Sequence, residues 1–231
     1  MSKIFDHQEV HDFFDWNSKC VFSDLEFYHC KFTNCNVSVT KNPKRRSIIT
    51  RSKFVGCEVL DVNVYAAIVE DVLISDLRTH NKLMTNCAVF KHVKLEGKIG
   101  KVLISPLIEV WKQNTKEQRR FTDANNEYYK KVDWALDISE AHFLDCSIRG
   151  IPSKFIKRDP ASQAVVTREK AITGAWKQLD LSKTYWKTVI EFLLDRQDVD
   201  VVLVAPKCHP HYSDLIEGIE MLRDAGVAEP D

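Results

Sequence analysis

Two histidines near the start of the chain are spaced like metal ligands on a helix. His7 and His11 lie four residues apart, which resembles the zinc-peptidase motif H-E-x-x-H. That motif needs its acid directly after the first histidine, whereas here Gln8 takes that place and the acid is Glu9. The alternative, a pair of solvated or helix-capping histidines, is therefore favoured.

The segment Cys208-His209-Pro210-His211 is the only compact cluster of cysteine and histidine in the sequence. Three ligands so close together do not easily share one tetrahedral metal ion, and Pro210 stiffens the link between them. A loop before a helix is the favoured interpretation, since no Walker loop, G-x-G-x-x-G or G-x-S-x-G motif occurs. A metal-dependent enzyme built on residues 206–217 is the alternative, with candidates His209, His211, Asp214 and Glu217.

The charge balance argues against two classes of partner. Lys and Arg total 33, Asp and Glu total 33, and the formal net charge is zero. Nucleic-acid binders are usually basic, and a protein that imitates DNA should be acidic. No apolar run approaches the ~20 residues of a membrane helix, and the first residues lack a secretory signal. The 7 cysteines are therefore expected to be reduced thiols in a cytoplasmic protein, and no metal or cofactor is predicted.

Large apolar residues recur every five positions along much of the chain. They stand at Phe22, Phe27, Phe32 and Val37, with a small or aliphatic residue two places before each. The same step runs through Phe54, Val59, Val64, Val69 and Ile74, and it returns at Phe90 and Leu95. A period of five matches neither the helical period near 3.6 nor the strand period of 2, so it indicates a structural repeat.

These steps resemble the pentapeptide-repeat family over about residues 20–104 and 134–150. The best matches are Ala141-His142-Phe143-Leu144-Asp145, Cys30-Lys31-Phe32-Thr33-Asn34 and Cys146-Ser147-Ile148-Arg149-Gly150. The resemblance implies a mainly β protein with α additions, whose core is a right-handed four-sided β-helix with roughly 20 residues per coil. It also implies a filled interior, in which apolar side chains stack from coil to coil. Six cysteines are assigned to its small inward positions: Cys20, Cys30, Cys35, Cys57, Cys87 and Cys146.

Other segments are predicted to extend or cover this core. Residues 1–19 form an amino-terminal cap with a short helix after Asp6, and residues 20–150 form the β-helix. The insertion 106–132 is rich in helix formers and starts at Pro106. Residues 151–231 form an α/β cap, with helices over 168–179, 183–197 and 210–225 and a buried strand over 199–206. Between them, Asp159-Pro160-Ala161-Ser162 reads as a hairpin or a kinked connection.

Two surface segments are candidates for binding a partner. The first is the basic stretch between Val37 and Phe54, which contains Lys44, Arg45 and Arg46 and no acid; the alternative is a solvated loop or hairpin. The second is the insertion, where aromatic and arginine side chains of the kind that dominate interfaces occur together. Its candidate anchors are Trp111, Arg119, Arg120, Tyr128 and Tyr129, and the alternative is a helical cover with a solvated charged face.

A filled β-helix has no internal pocket, so function is expected on its outer faces. The first hypothesis is a non-enzymatic protein-interaction module; a bacterial regulatory, immunity or defence role follows only by analogy with the family. A DNA-mimicking protein that protects a topoisomerase is an alternative that the resemblance implies. A protein partner is expected, self-association is expected on general grounds, and nucleic acid and membrane are not expected as partners.

Overall fold

The computed structural model describes residues 2–16, 18–108 and 115–229. The structure is mainly β, and twelve strands form one sheet whose pairings are parallel. The strands are β1 Lys3–Asp6, β2 Glu9–His11, β3 Val21–Ser23, β4 Leu25–Tyr28, β5 Lys31–Val37, β6 Ile48–Val55, β7 Glu58–Tyr65, β8 Ile68–Thr79, β9 Leu83–Asn86, β10 Val89–Ser105, β11 Leu136–Ile148 and β12 Ile156–Lys157.

Strands that pair in parallel are separated along the chain by one circuit of the sheet, which we call a turn. Ile48 of β6 pairs with Ile68 of β8, which in turn pairs with Val89 of β10. Strands β7, β8, β10 and β9 pair in a ring, so the parallel sheet closes on itself. Two longer intervals interrupt the regular register. A 3₁₀ helix at Pro43–Arg45 lies in one of them and helix α1, Lys116–Tyr129, lies in the other.

Left-handed backbone residues explain the five-residue step. Asp24, His29 and Asn34 have φ angles of 58°, 52° and 55°, and each lies two residues after an apolar residue of the repeat. A single left-handed residue ends one short strand and redirects the chain into the next, and Asn and Asp tolerate this conformation better than most residues. Further along, Asp61, Asp71 and Asp76 repeat the pattern. At these positions the left-handed residue forms a corner between one five-residue step and the next.

The apolar residues of the step line the interior of the sheet in columns. One column contains Phe5, Phe27 and Phe54, whose rings stack with centroids 4.8 and 5.1 Å apart. These spacings match the distance between neighbouring strands, so each turn places its ring on the ring of the turn before. Cys30, Cys35 and Cys57 are buried, and all seven cysteines are free thiols.

The assignment of Cys87 to an inward position was wrong. Cys87 is a left-handed corner residue with φ 56°, and it packs outside the sheet with Ala66 and Phe121. In the five-residue step, the small inward residue stands two positions before the large apolar residue. Before Phe90 that position is Ala88 and not Cys87. Helix α1 covers this corner.

The predicted amino-terminal helix was also wrong, because Lys3–Asp6 and Glu9–His11 are strands joined at His7 and Gln8. β1 and β2 pair in parallel with β4 and β5, aligning Phe5 with Phe27 and Val10 with Phe32. The five-residue step therefore starts at Phe5, and His7 and Asp12 supply left-handed corners with φ 50° and 52°. These residues form the first turn of the parallel sheet and do not cover its end.

The basic stretch and the insertion are only partly as predicted. Ile48 to Lys53 belong to β6 and so are part of the sheet rather than of a loop. The insertion does contain a helix, but α1 starts at Lys116, well after Pro106. There the Thr115 hydroxyl accepts a hydrogen bond from the Gln118 N–H at 3.1 Å, which caps the helix. Residues 109–114 lie outside the described residues.

The rest of the chain forms a second, antiparallel sheet of β13 Gln163–Thr167, β14 Asp200–Val204 and β15 Ala228–Glu229. Helices α2 Arg168–Ile172, α3 Trp186–Asp195 and α4 Tyr212–Asp224 contribute to its apolar core. The helix predicted over 168–179 is broken at Gly174, which has φ 76°, and α3 starts later than Lys183. β12 pairs with β11 whereas β13 pairs with β14 and β15, so Asp159–Ser162 is a connection and not a hairpin.

Candidate functional site

Two of the predicted binding residues are buried where helix α1 packs on the parallel sheet: Arg46 lies beneath the helix, and Tyr129 is its last residue. Arg46 is 7% exposed, and its Nη2 donates hydrogen bonds to the Cys87 carbonyl at 3.3 Å and to the side-chain oxygen of Asn125. Tyr129 is 4% exposed and its hydroxyl accepts a hydrogen bond from the Phe90 N–H at 3.3 Å. Burial lowers the pKa of Arg46 and raises that of Tyr129. These side chains hold α1 on the parallel sheet and are not accessible to a partner.

Tyr128 is half-buried, and its hydroxyl donates a hydrogen bond to Glu70 Oε1 at 2.8 Å. Burial raises its pKa, and the neighbouring Glu70 carboxylate adds to this effect. Four of the predicted residues remain on the surface: Lys44, Arg45, Arg119 and Arg120. Trp111 lies outside the described residues. On the predicted recognition surface, Arg119 and Arg120 are therefore exposed, whereas Tyr128 and Tyr129 pack against the interior of the protein.

The loop at residues 206–211 brings few reactive groups together. His211 Nδ1 lies 3.3 Å from Asp214 Oδ2, and the His211 N–H donates to His209 Nδ1 at 3.1 Å. Glu217 and Cys208 are exposed. Within the described residues, three potential metal ligands cluster at one place only, at Asp6, His7 and His29. That place is not in this loop. The geometry of this loop therefore adds no support to an enzyme site.

Charges of opposite sign alternate along one outer corner of the parallel sheet. Arg51 makes a two-point contact with Asp24, with nitrogen–oxygen distances of 2.8 and 2.7 Å. His92 lies between Asp71 at 3.0 Å and Asp133 at 2.7 Å. Hydrogen bonding to Arg51 lowers the pKa of Asp24 to about 2. A DNA-like surface needs a line of uncompensated negative charge, and on this corner Asp24 is paired with Arg51 while Asp71 and Asp133 both contact His92.

The amino-terminal end of the parallel sheet has a different character. Strands β1 and β2 are the terminal strands of the sheet path and β3 pairs only with β6, so all three leave one backbone edge unpaired within the described part of the chain. Four large apolar side chains near this end are exposed: Ile4 at 65%, Phe13 at 39%, Trp16 at 66% and Val21 at 62%. We call these strands and side chains the open end. Sequence reasoning missed it because it assigned residues 1–19 to a cap, although the step at Phe5 and Val10 is visible in the sequence.

The opposite end of the parallel sheet is covered. Val165 of β13 and Val202 and Val204 of β14 are buried in one cluster with Leu136 and Ile156 of the parallel sheet. The antiparallel sheet therefore closes the carboxy-terminal end of the apolar interior, as a cap should. Among the described residues, the open end thus combines unpaired strand edges with exposed large apolar side chains, whereas the opposite end is covered.

The interior itself is not completely filled. A cavity of about 380 Å³ runs among the inward side chains, from Phe5, Val10 and Phe22 near the open end to Leu136 near the cap. Its lining residues are almost all apolar, so it offers no set of polar groups for a reaction. The expectation of a filled interior was wrong because valines occupy many positions where the best repeats have phenylalanine. Those shorter side chains leave space in the interior.

Searches of this sequence against protein-family models and against curated proteins found no match. None of the described helices is both long enough and apolar enough to cross a membrane. The assignment of a function to this chain thus depends on the geometry described above.

Proposed function

We propose that this chain is a non-enzymatic protein-interaction module built on a right-handed four-sided β-helix of the pentapeptide-repeat kind. The observation that carries the proposal is the asymmetry between the two ends of the parallel sheet. One end is capped by the antiparallel sheet. The other has strand edges that no described strand pairs with, and it exposes Ile4, Phe13, Trp16 and Val21.

Several features support the β-helix. Parallel partners follow one another at intervals near twenty residues, as from Ile48 to Ile68, and interior residues stack in columns. Left-handed corners recur at five-residue intervals, as at Asp61, Ala66, Asp71 and Asp76. A chain with these three properties winds around an apolar axis, with a short strand on each side and a corner between sides.

Exposed strand edges invite pairing with another chain. Folded proteins usually cover such edges or place charges on them, and an edge that keeps large apolar side chains is typical of an interaction site. The side chain of Trp16 lies beside Phe14, with ring centroids 5.6 Å apart, and such aromatic groups contribute strongly to interfaces. The open end combines main-chain pairing capacity with apolar contact area.

The occupant we propose is a second copy of this chain. The open end of each copy has strand edges to pair and apolar side chains to bury. A two-fold arrangement of identical copies brings the two open ends together and does both at once. Cations and anions are both present on this surface, at Lys3 and Lys19 and at Asp6 and Asp12, so two copies need not repel each other. End-to-end contact would also bury the apolar side chains that the cap buries at the other end.

Light scattering after size-exclusion chromatography, over a series of protein concentrations, tests this assignment. We expect a dimer for the unmodified chain and a monomer for Ile4→Lys. The matched control is Ile172→Lys, since Ile172 of α2 is 63% exposed, close to the 65% of Ile4, but lies in the carboxy-terminal part of the fold. A monomer at every concentration, or equal loss of dimer in both variants, would overturn the assignment of the open end.

The alternatives are less well supported. A DNA mimic would need uncompensated acidic surface, whereas Asp24, Asp71 and Asp133 are paired with Arg51 and His92. An enzyme on residues 206–217 would need a cluster of reactive groups, whereas His211 contacts one carboxylate. The exposed cations Lys44, Arg45, Arg119 and Arg120 remain a predicted second contact surface for an acidic partner.

A further inference from the structure

Three metal-binding side chains meet at one corner of the parallel sheet. His7 Nδ1 lies 2.9 Å from Asp6 Oδ1, and His29 Nδ1 lies 3.5 Å from the same oxygen. The three ligand atoms are all within 4.8 Å of one another. We call this group the Asp6–His7–His29 corner. Asp6 is the last residue of β1 at the open end, whereas His7 and His29 are corner residues outside the strands.

The backbone fixes the two histidines side by side. Asp6 pairs with Tyr28 in the parallel register, and the His7 N–H donates to the Tyr28 carbonyl at 2.9 Å. His7 and His29 therefore occupy equivalent left-handed corners of successive turns, and their rings stack with centroids 4.9 Å apart. The spacing of these ligands is set by the fold and does not depend on long flexible side chains.

A glycine on the next turn leaves room for the second ring. Gly56 has φ 64°, and a Cβ added there would lie 2.8 Å from Cδ2 of His29. That distance is too short for a carbon–carbon contact, so a larger residue would push the His29 ring from its place. Three successive turns thus determine the geometry of the corner.

The donor set indicates the class of ion. Two imidazole nitrogens and one carboxylate oxygen suit zinc and the neighbouring divalent transition metals, whereas magnesium and calcium prefer oxygen ligands. Zinc–nitrogen bonds of about 2.0 Å place tetrahedral ligands about 3.3 Å apart. The side chains of His7 and His29 are 72% and 58% exposed, so their rings are free to rotate the short distance this requires.

We infer that the Asp6–His7–His29 corner binds one divalent transition-metal ion, with zinc as the preferred ion. Three protein ligands leave at least one coordination position for water or a group from another molecule. The bound ion would join the first and second turns of the parallel sheet.

Isothermal titration with Zn²⁺, and the visible spectrum with Co²⁺, test the inference. Both are measured in a Cys208→Ser background, because Cys208 is an exposed thiol that could bind zinc by itself. We expect one ion per chain and at least a tenfold weaker affinity in His7→Ala and in His29→Ala. The matched control is His11→Ala, since His11 contacts one carboxylate, Glu9 at 2.9 Å, and should leave the affinity unchanged.

Two further measurements keep the test decisive. Circular dichroism shows whether each variant keeps its fold, and Ile4→Lys, which leaves the three ligands in place, should bind zinc like the unmodified chain even if it no longer self-associates. A loss of affinity in His11→Ala equal to that in His7→Ala would indicate non-specific binding to surface histidines and overturn the site. Absence of measurable zinc binding would overturn it as well.

Discussion

Arg46 lies beneath helix α1 with its guanidinium carbon 5.2 Å from the centre of the Phe121 ring. Its Nη2 also donates hydrogen bonds to the Cys87 carbonyl and to Asn125. Arg46, which the sequence places in a basic stretch, thus connects the segment before β6 to helix α1, which begins some seventy residues later.

Arg46→Ala should destabilise the fold. The substitution removes the cation–aromatic contact and leaves the Asn125 side-chain oxygen and the Cys87 carbonyl without this donor, at a cost of about 1–3 kcal/mol. Urea denaturation measures the free energy of unfolding. The control is Lys44→Ala, because Lys44 is exposed and its loss should cost less than about 0.5 kcal/mol. Equal effects of the two substitutions would contradict the structural role of Arg46.

Asp15→Ala should be more costly than substitution of another acid in the same turn. Asp15 is 5% exposed, and its carboxylate accepts hydrogen bonds from the Ser18 and Ser38 N–H groups at 3.0 and 3.1 Å. Removing it leaves these two buried donors unpaired, which should cost about 2–4 kcal/mol. Glu9 is an exposed acid of strand β2 and serves as the control, and Glu9→Ala should shift the thermal midpoint by much less. A small shift for Asp15→Ala would show that the two amides find other acceptors.

Asp198 should make stability depend on pH. Burial raises its pKa to about 6, although Arg149 Nε lies 3.3 Å from Oδ2. The folded chain therefore holds a proton that the unfolded chain, with a pKa near 3.9, releases between about pH 4 and pH 6. The free energy of unfolding should fall as the pH rises through this window, by at most about 3 kcal/mol.

Asp198→Asn should remove this dependence and stabilise the protein at neutral pH, because the amide carries no charge to bury. Denaturation curves at about pH 4 and about pH 7 measure the effect. Asp195→Asn, at an exposed position at the end of α3, is the control. If Asp198→Asn leaves the fold less stable at neutral pH, the contact with Arg149 outweighs the burial of the carboxylate.

Enlarging a side chain that lines the cavity should stabilise the protein. Val64 lines the cavity of about 380 Å³, and Val64→Ile adds one methylene to this empty space. Burial of one methylene contributes about 0.8 kcal/mol when no neighbour has to move. The control is Val165→Ile, since Val165 is 1% exposed between the two sheets and does not line the cavity. That substitution should be neutral or destabilising through overpacking. A destabilised Val64→Ile protein would show that the cavity cannot accept the added group.

The five-residue step was a good predictor of local structure because it reflects short-range geometry. A left-handed corner such as Asp24 or His29 follows many of the inward residues two positions later, so the pattern is visible without knowing which turns are neighbours. The inward placement of Phe27, Phe32 and Phe54 followed directly from it. Phe5 and Val10 follow the same five-residue step, although a helix was predicted there and the structure has strands.

The sequence by itself therefore determined the repeat, the reduced state expected of its thiols and the presence of a helix in the insertion. Only the tertiary structure decided which residues are accessible and which meet. Arg46 is buried because α1 covers it, and Tyr129 is buried because it is on the side of α1 that packs on the sheet at Phe90. Asp6, His7 and His29 form a corner because one turn of chain separates His7 from His29. Such contacts depend on the number of residues in each turn and on the path of each insertion, neither of which a five-residue period specifies.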